Sequence, residues 1–157
     1  MSPNSAEAGR IDVHIFVIGR SDTSLRISCD GYATSVDSDR LTSLAADDAA
    51  AALQFCATEP DQCTYIAGWI AEGGLTRAPN TPRAWLMGEY DRTGRLSGLV
   101  YISLTGIMIP VRLSDDAIKD FGQMVRRNPN LARVVVGQRS LVDRVWRTLV
   151  KHGTRAR

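Results

Sequence analysis

The stretch GEYDRTGRLSGLVYISLTGIMIPVR, residues 88–112, decides the fold of this chain, because apolar runs alternate in it with short turn sequences. Residues 91–94 (DRTG) and 104–106 (LTG) have the composition of tight turns, in which a glycine supplies the positive φ that other residues rarely adopt. Extended backwards to residue 84 and forwards to residue 113, the pattern predicts an antiparallel meander of three strands, at 84–90, 95–103 and 107–113. Pro110 has no N–H for a strand ladder, so it predicts a bulge or a place where the third strand parts from a neighbour.

Two helices are predicted before this meander. Residues 49–56 are rich in alanine and follow two aspartates that suit the positive end of a helix dipole. The second helix has Pro60 in its first turn and ends at the two glycines 73 and 74. It carries an apolar stripe at helical spacing, for which core packing is the favoured interpretation and a ligand pocket the alternative: Tyr65, Ile66, Trp69 and Ile70.

A helix, a strand and a second helix are predicted after the meander. Ser114 precedes residues 115–127 and is a suitable N-cap for a third helix. Residues 131–137 contain an unbroken valine run at 134–136, which is typical of a strand covered on both faces. Ser140, with Asp143 three positions later, resembles the capping box of a last helix that ends near Gly153.

The N-terminal part begins with a polar tail at residues 1–10 and then alternates in the manner of strands. Residues 11–18 predict one strand, and residues 25–29 and 32–36 predict a hairpin around the Asp30-Gly31 turn. We therefore expect one domain, residues 11–153, with a loose tail at 154–157. Its predicted fold class is α/β (α+β), with a mixed, mostly antiparallel twisted sheet flanked by about four helices.

Composition excludes several classes of protein. The chain has 157 residues, 44% hydrophobic and 23% charged, which is typical of one globular domain and not of a disordered chain. Its apolar runs are shorter than the ~20 residues that a membrane helix needs, so no membrane association is expected. No secretion signal is recognisable, Cys56 and Cys63 lack partners at zinc spacing, and His14 and His152 are far apart. We expect a cytoplasmic protein with no metal site.

The order of the predicted elements resembles the N-acetyltransferase (GNAT) superfamily. Residues 44–75 (LAADDAAAALQFCATEPDQCTYIAGWIAEGGL) resemble the opening helices of the N-terminal GNAT-like domain of bacterial two-domain acetyltransferases. Residues 88–112 resemble its meander, and residues 134–149 (VVVGQRSLVDRVWRTL) its last strand and helix. The resemblance extends over about residues 41–150 and implies a GNAT-like fold. The sequence stops before the two strands that close the sheet in that family.

The resemblance also locates a degenerate cofactor site. Catalytic members hold the pyrophosphate of acetyl-CoA on an Arg- and Gly-rich loop before the third helix, where close backbone approach needs glycine. The matching residues here, 111–116 (VRLSDD), contain no glycine and two carboxylates. We therefore expect no cofactor and no catalytic residue. If an acetyl-CoA site were nevertheless present, its weak candidates would be Arg112, Arg139 and Ser140, and Glu89 and Tyr90 would be the weak catalytic candidates.

Two further surfaces follow from the sequence. Without the closing strands, Val134, Val135 and Val136 would form an edge that needs a cover: the strand at 11–18, a second copy of the chain in a homodimer, or another protein. Residues 121–157 hold nine Lys or Arg and one Asp, whereas the first 120 residues hold ten basic and sixteen acidic residues. This basic third could contact an anion or a nucleic acid through Arg144, Arg147 and Lys151.

Three functions therefore compete. The favoured one is a non-catalytic GNAT-like binding or regulatory module that acts through protein–protein contacts, including dimerisation. The second is an N-acyltransferase with an atypical CoA site. The third is nucleic-acid binding through the basic third, although no aromatic residue is interleaved with its cations.

Overall fold

The computed structural model describes residues 13–17, 40–76, 84–128 and 131–151. Within these ranges the chain forms six strands and four helices. In chain order they are β1 (Val13–Val17), β2 (Leu41–Ser43), α1 (Ala49–Thr58), α2 (Pro60–Ala71), β3 (Ala84–Tyr90), β4 (Leu96–Ser103), β5 (Ile107–Val111), α3 (Asp115–Arg127), β6 (Val134–Gln138) and α4 (Arg139–Lys151). The hairpin predicted at 25–36 and the tails at 1–10 and 154–157 lie outside the described residues.

All six strands belong to one open, mixed sheet with the order β1-β6-β5-β4-β3-β2. The pair β5–β6 is parallel, and the other four neighbouring pairs are antiparallel. The predicted meander corresponds to β3, β4 and β5, and the predicted α+β class with a mostly antiparallel sheet is confirmed.

Helices cover both faces of the sheet, and the alternation of side chains along β4 shows how. Val100 and Ile102 point into a core shared with α3 and α4, in which Phe121 and Val145 are fully buried. Leu99 and Tyr101 point to the opposite face, where α1 and α2 pack on them. None of the four described helices is both long and apolar enough to cross a membrane.

The parallel pair β5–β6 is short. Ile107 is opposite Val134 and Met108 is opposite Val135, and the pairing stops there, whereas β5 stays paired with β4 up to Val111. Pro110 lies just beyond the last parallel pair and faces Val100 of β4. The prediction that Pro110 marks the parting of two strands is confirmed, since a residue without an N–H cannot continue both ladders.

The predicted free edge at Val134, Val135 and Val136 is not found, and this part of the sequence interpretation needs correction. β1 pairs antiparallel with β6 over its whole length, with Ile15 opposite Val136 and Val17 opposite Val134. Of the three covers that the sequence allowed, the N-terminal strand is the one present. Because β1 occupies this edge of β6, the valine backbone of the edge is not open to the homodimer or protein contact expected there.

Ser140 is a second correction. α4 begins at Arg139, directly after the last residue of β6, so Ser140 lies inside the first turn and not before it. Its side chain is exposed and makes no hydrogen bond to a described residue. The predicted N-cap therefore fails because strand and helix follow one another without an intervening loop.

Candidate functional site

The first candidate site lies where β3 and β5 end and α3 begins. We call it the α3 cap site and define it by Glu89, Arg112, Ser114, Asp115 and Arg144. The Glu89 side chain is buried, at 7% exposure, and its Oε2 accepts a hydrogen bond from the backbone N–H of Ser114 at 2.9 Å. A carboxylate from the end of β3 is thereby attached to the start of a helix.

The N-terminus of α3 is occupied by its own chain. The Oγ of Ser114 accepts a hydrogen bond from the N–H of Ala117 at 3.1 Å, as predicted for an N-cap. Arg144 of α4 donates to Asp115 Oδ1 through Nε at 3.0 Å and Nη2 at 2.7 Å, and to the carbonyl of Leu113. Asp116 forms an exposed ion pair with Lys119, whose hydrogen bond lowers the pKa of Asp116.

Arg112 adopts a left-handed backbone conformation, with a φ of 53°, which is uncommon for a residue other than glycine. Its Nη1 donates to Glu59 Oε1 at 3.2 Å, and its guanidinium carbon lies 5.8 Å from the ring centre of Phe55. Its carbonyl oxygen lies so close to Gly98 that a Cβ there would come within 2.9 Å of it. The cation is thus held against the junction of α1 and α2 and away from the start of α3.

Tyr90, the other catalytic candidate, lies beside Glu89 in the sequence but contacts a different element. Its hydroxyl donates to Asp48 Oδ1 at 3.5 Å. Partial burial and, secondly, the negative charge of Asp48 raise the pKa of Tyr90 above its ordinary value, so the phenol stays protonated at neutral pH. Glu89 and Tyr90 therefore do not form an acid–base pair.

The basic candidates of α4 do not form one free cationic surface. Arg144 is engaged by Asp115, and Arg139 lies 3.9 Å from Asp143 on the same helix. Arg147 is exposed, and Lys151 is the last residue of α4. Arg139 and Ser140 lie at the start of α4, separate from Arg112, so these three cofactor candidates are not brought together by any described contact.

The second candidate site is an aromatic cleft that the sequence analysis did not assemble. It is defined by Tyr65 and Trp69 of α2, Tyr101 of β4, the segment after α2 with Glu72 and Gly74, and the turn at 103–105. Its volume is about 330 Å³. Ser103 of β4 lines the cleft, whereas Gly98 of β4 lies opposite Glu89 of the α3 cap site. Because Ser103 and Gly98 lie toward opposite ends of β4, the cleft and the α3 cap site lie at opposite ends of the sheet.

The rings of the cleft pack edge to face. Tyr65 and Trp69 have ring centres 5.2 and 5.3 Å from that of Tyr101, with interplanar angles of 78° and 73°. The hydroxyls of Tyr65 and Tyr101 are 3.3 Å apart, and burial together with this hydrogen bond raises the pKa of Tyr101. Gly74 lies against Trp69, since a Cβ there would come within 2.3 Å of the indole ring.

The spacing of Tyr65 and Trp69 was the one sequence signal for the cleft, since aromatic residues four apart share one side of a helix. Tyr101 and Glu72 carried no such signal, because their position beside these rings depends on how α2 packs on β4. No group of His, Cys, Asp or Glu that could hold a metal ion occurs among the residues that the structure describes.

Fold and sites together define a three-layered α+β protein with an open mixed sheet, one helix terminus closed by its own side chains, and one aromatic cleft. The sequence pattern of a family described as a domain of unknown function, DUF4081, matches residues 85–157, a range that begins at the second residue of β3 and includes β4 to α4. No curated protein and no solved structure matches the chain.

Proposed function

We propose that this protein is a non-catalytic binding or regulatory module with a GNAT-like fold. One observation carries the proposal: at the start of α3, where enzymes of the resembled superfamily hold a pyrophosphate, Glu89 and Ser114 already accept backbone N–H groups and Asp115 holds Arg144. A helix N-terminus binds anions through its free N–H groups and its dipole. At the start of α3 some of these N–H groups already have acceptors, and carboxylates of the protein already interact with the positive end of the dipole.

Charge adds to this obstruction. The first turn of α3 carries the carboxylates Asp115 and Asp116, and the nearby cation Arg144 is already paired with Asp115. A phosphate held about 4 Å from a carboxylate meets a repulsion of about 4 kcal/mol at an effective dielectric constant near 20. A diphosphate would also have to break the Arg144–Asp115 pair before it could use that guanidinium.

Glu89 fits the same proposal. A general base must lie within hydrogen-bonding distance of the proton that it removes, on an open path to substrate. Glu89 is buried and directs one oxygen at the Ser114 N–H, so its role in the module is to join β3 to α3.

Calorimetric titration with acetyl-CoA tests the proposal against the alternative of an acyltransferase. We expect no binding heat up to about 1 mM ligand, which corresponds to a binding free energy weaker than about −4 kcal/mol. Binding at micromolar concentration would overturn the non-catalytic assignment. The variant Asp115→Asn/Asp116→Asn is the matched control: if the carboxylates exclude the diphosphate, this variant gains measurable affinity for it.

Nucleic-acid binding is the weaker alternative, because Arg144 is neutralised by Asp115 within the fold. A gel-shift titration with duplex DNA at low salt checks it. We expect no retarded complex, whereas a complex that dissociates as salt is raised and is weakened by Arg147→Ala would favour this alternative.

A further inference from the structure

We propose that the aromatic cleft binds a small organic ammonium ion, whose positive head lies against the rings of Tyr65 and Trp69 and near the carboxylate of Glu72. This inference rests on the proposed function, because it names the class of ligand that the binding module takes. The cleft lies at the far end of the sheet from the α3 cap site, so the two proposals concern different residues.

The charge of the lining selects a cation. Among the described residues that line the cleft, Glu72 is the only charged one. Its side chain is exposed, and it makes no ion pair and no hydrogen bond with any residue in the described part of the chain. A ligand cation would gain the attraction of this carboxylate without displacing a described partner, whereas an anion would be repelled by it.

The rings select an organic cation over a metal ion. The face of an indole or phenol ring is electron-rich and attracts an ammonium group within about 6 Å of the ring centre. Tyr65 and Trp69 each meet Tyr101 edge to face, so in each pair the ring that presents its edge keeps both of its faces clear of its partner. An alkylated ammonium also buries its methyl groups against these rings, which a hydrated metal ion cannot do.

The hydroxyls of the cleft argue against a ligand recognised mainly by hydrogen bonds. Those of Tyr65 and Tyr101 share one hydrogen bond, in which either can be the donor. Ser103 Oγ lies 2.8 Å from Thr105 Oγ1 and accepts the N–H of Ile107. A sugar would find most of these groups already paired, whereas an ammonium with alkyl substituents needs few of them.

The volume of about 330 Å³ is at the lower end of the range for ligand pockets. It is sufficient for a quaternary ammonium head with a short chain and small for a cofactor-sized molecule. Tyr65 and Leu104 at the cleft are 59% and 46% exposed, so a ligand can enter from solvent.

The test uses the full chain and two probes of nearly equal shape, choline and its uncharged carbon analogue 3,3-dimethylbutan-1-ol, titrated calorimetrically at matched ionic strength. We expect choline to bind at least about tenfold more tightly than the alcohol, because only choline gains the ring and carboxylate attraction. Equal affinities, or no choline binding at about 10 mM, would overturn the inference.

Variants then locate the site. Glu72→Gln should weaken choline binding about fivefold and leave binding of the alcohol unchanged. Asp61→Asn, an exposed acidic position in the first turn of α2 that does not line the cleft, is the matched control and should change neither. Tyr65→Leu should weaken choline binding, while Tyr65→Phe, which keeps the ring, should retain it. If Asp61→Asn weakened choline binding as much as Glu72→Gln does, the assignment of the choline site to the aromatic cleft would be contradicted.

Titrations with acetyl-CoA and with choline distinguish a failure of this inference from a failure of the proposed function. If acetyl-CoA binds and choline also binds, the non-catalytic assignment fails and the ammonium site stands. If neither binds, the assignment stands and the ammonium site is overturned.

Discussion

Glu89 is a buried carboxylate near the end of β3, and the partner of its Oε2 is a backbone amide 25 residues further along the chain. The sequence located it correctly near the end of a strand. It gave no sign of its contact with Ser114, because hydrophobic periodicity reports which face a residue occupies and not which distant group it meets. Buried polar groups need such partners, and the loss of one is therefore measurable.

Glu89→Ala tests this structural role. The substitution leaves the Ser114 N–H without its acceptor and should lower the free energy of unfolding by about 2 kcal/mol, measured by urea denaturation. Glu89→Gln retains an oxygen acceptor and should cost less than half as much. An alanine variant as stable as the parent protein would contradict the role of Glu89 in joining β3 to α3. It would favour a catalytic role, because catalytic side chains often reduce the stability of a protein.

Arg112 combines a left-handed backbone with an ion pair that is half exposed, its side chain being 53% accessible and that of Glu59 25%. Such a pair contributes at most about 1 kcal/mol. The backbone strain of a non-glycine residue at this φ is of similar size. The stabilisation by the ion pair and the destabilisation by the backbone strain therefore nearly cancel. A comparison of two substitutions at residue 112 separates them.

Arg112→Ala and Arg112→Gly both remove the ion pair and the contact with Phe55, but only glycine adopts a φ of 53° without strain. We expect Arg112→Gly to be more stable than Arg112→Ala by about 1 kcal/mol in urea denaturation. If Arg112→Ala were instead more stable than Arg112→Gly, as is usual for alanine compared with glycine, residue 112 would not retain the left-handed conformation in solution.

The serines near the starts of α3 and α4 show what decides an N-cap. Ser114 has extended backbone angles and lies before α3, with its Oγ on the Ala117 N–H. Ser140 has the same residue type and a favourable acidic residue at i+3, yet it lies within α4. The local pattern predicted both caps, and only the geometry of the preceding chain distinguishes them, because β6 leads into α4 without a loop.

Ser114→Ala and Ser140→Ala form a matched pair of substitutions. Loss of the Ser114 cap should lower the free energy of unfolding by about 1 kcal/mol. Ser140→Ala should change it by no more than a few tenths, because alanine is at least as good as serine inside a helix. Similar losses for both variants in thermal and urea unfolding would contradict the assignment of Ser140 to the first turn.

The assembled sheet shows how far the sequence interpretation reaches. Strand periods and turn residues were sufficient for the meander, and the valine run was sufficient for β6, because these signals are local. For the edge of β6 that β1 covers, the sequence left three candidate covers. Pairing between strands that are far apart in the sequence does not change the hydrophobic period of either strand, so the period could not decide among them. The aromatic cleft was missed for the same reason, because it forms only when α2 packs on β4.

Truncation tests the pairing of β1 with β6. Removal of residues 1–17 deletes β1 and leaves the edge of β6 that faced it unpaired, so we expect association that increases with protein concentration, measured by light scattering coupled to size exclusion. Removal of residues 1–10 leaves β1 in place and is the control, with a mass in solution equal to that of the full chain. The same mass for both truncated proteins would contradict the cover provided by β1.

The pairing of β1 with β6 also orders events during synthesis on the ribosome. β1 is translated before β6, and Val134, the partner of the last residue of β1, lies more than 100 residues further along the chain. The segment at 13–17 therefore cannot form this pairing until the residues of β6 have been synthesised. Pairing between two strands so far apart in the sequence raises the contact order of the fold, which slows folding.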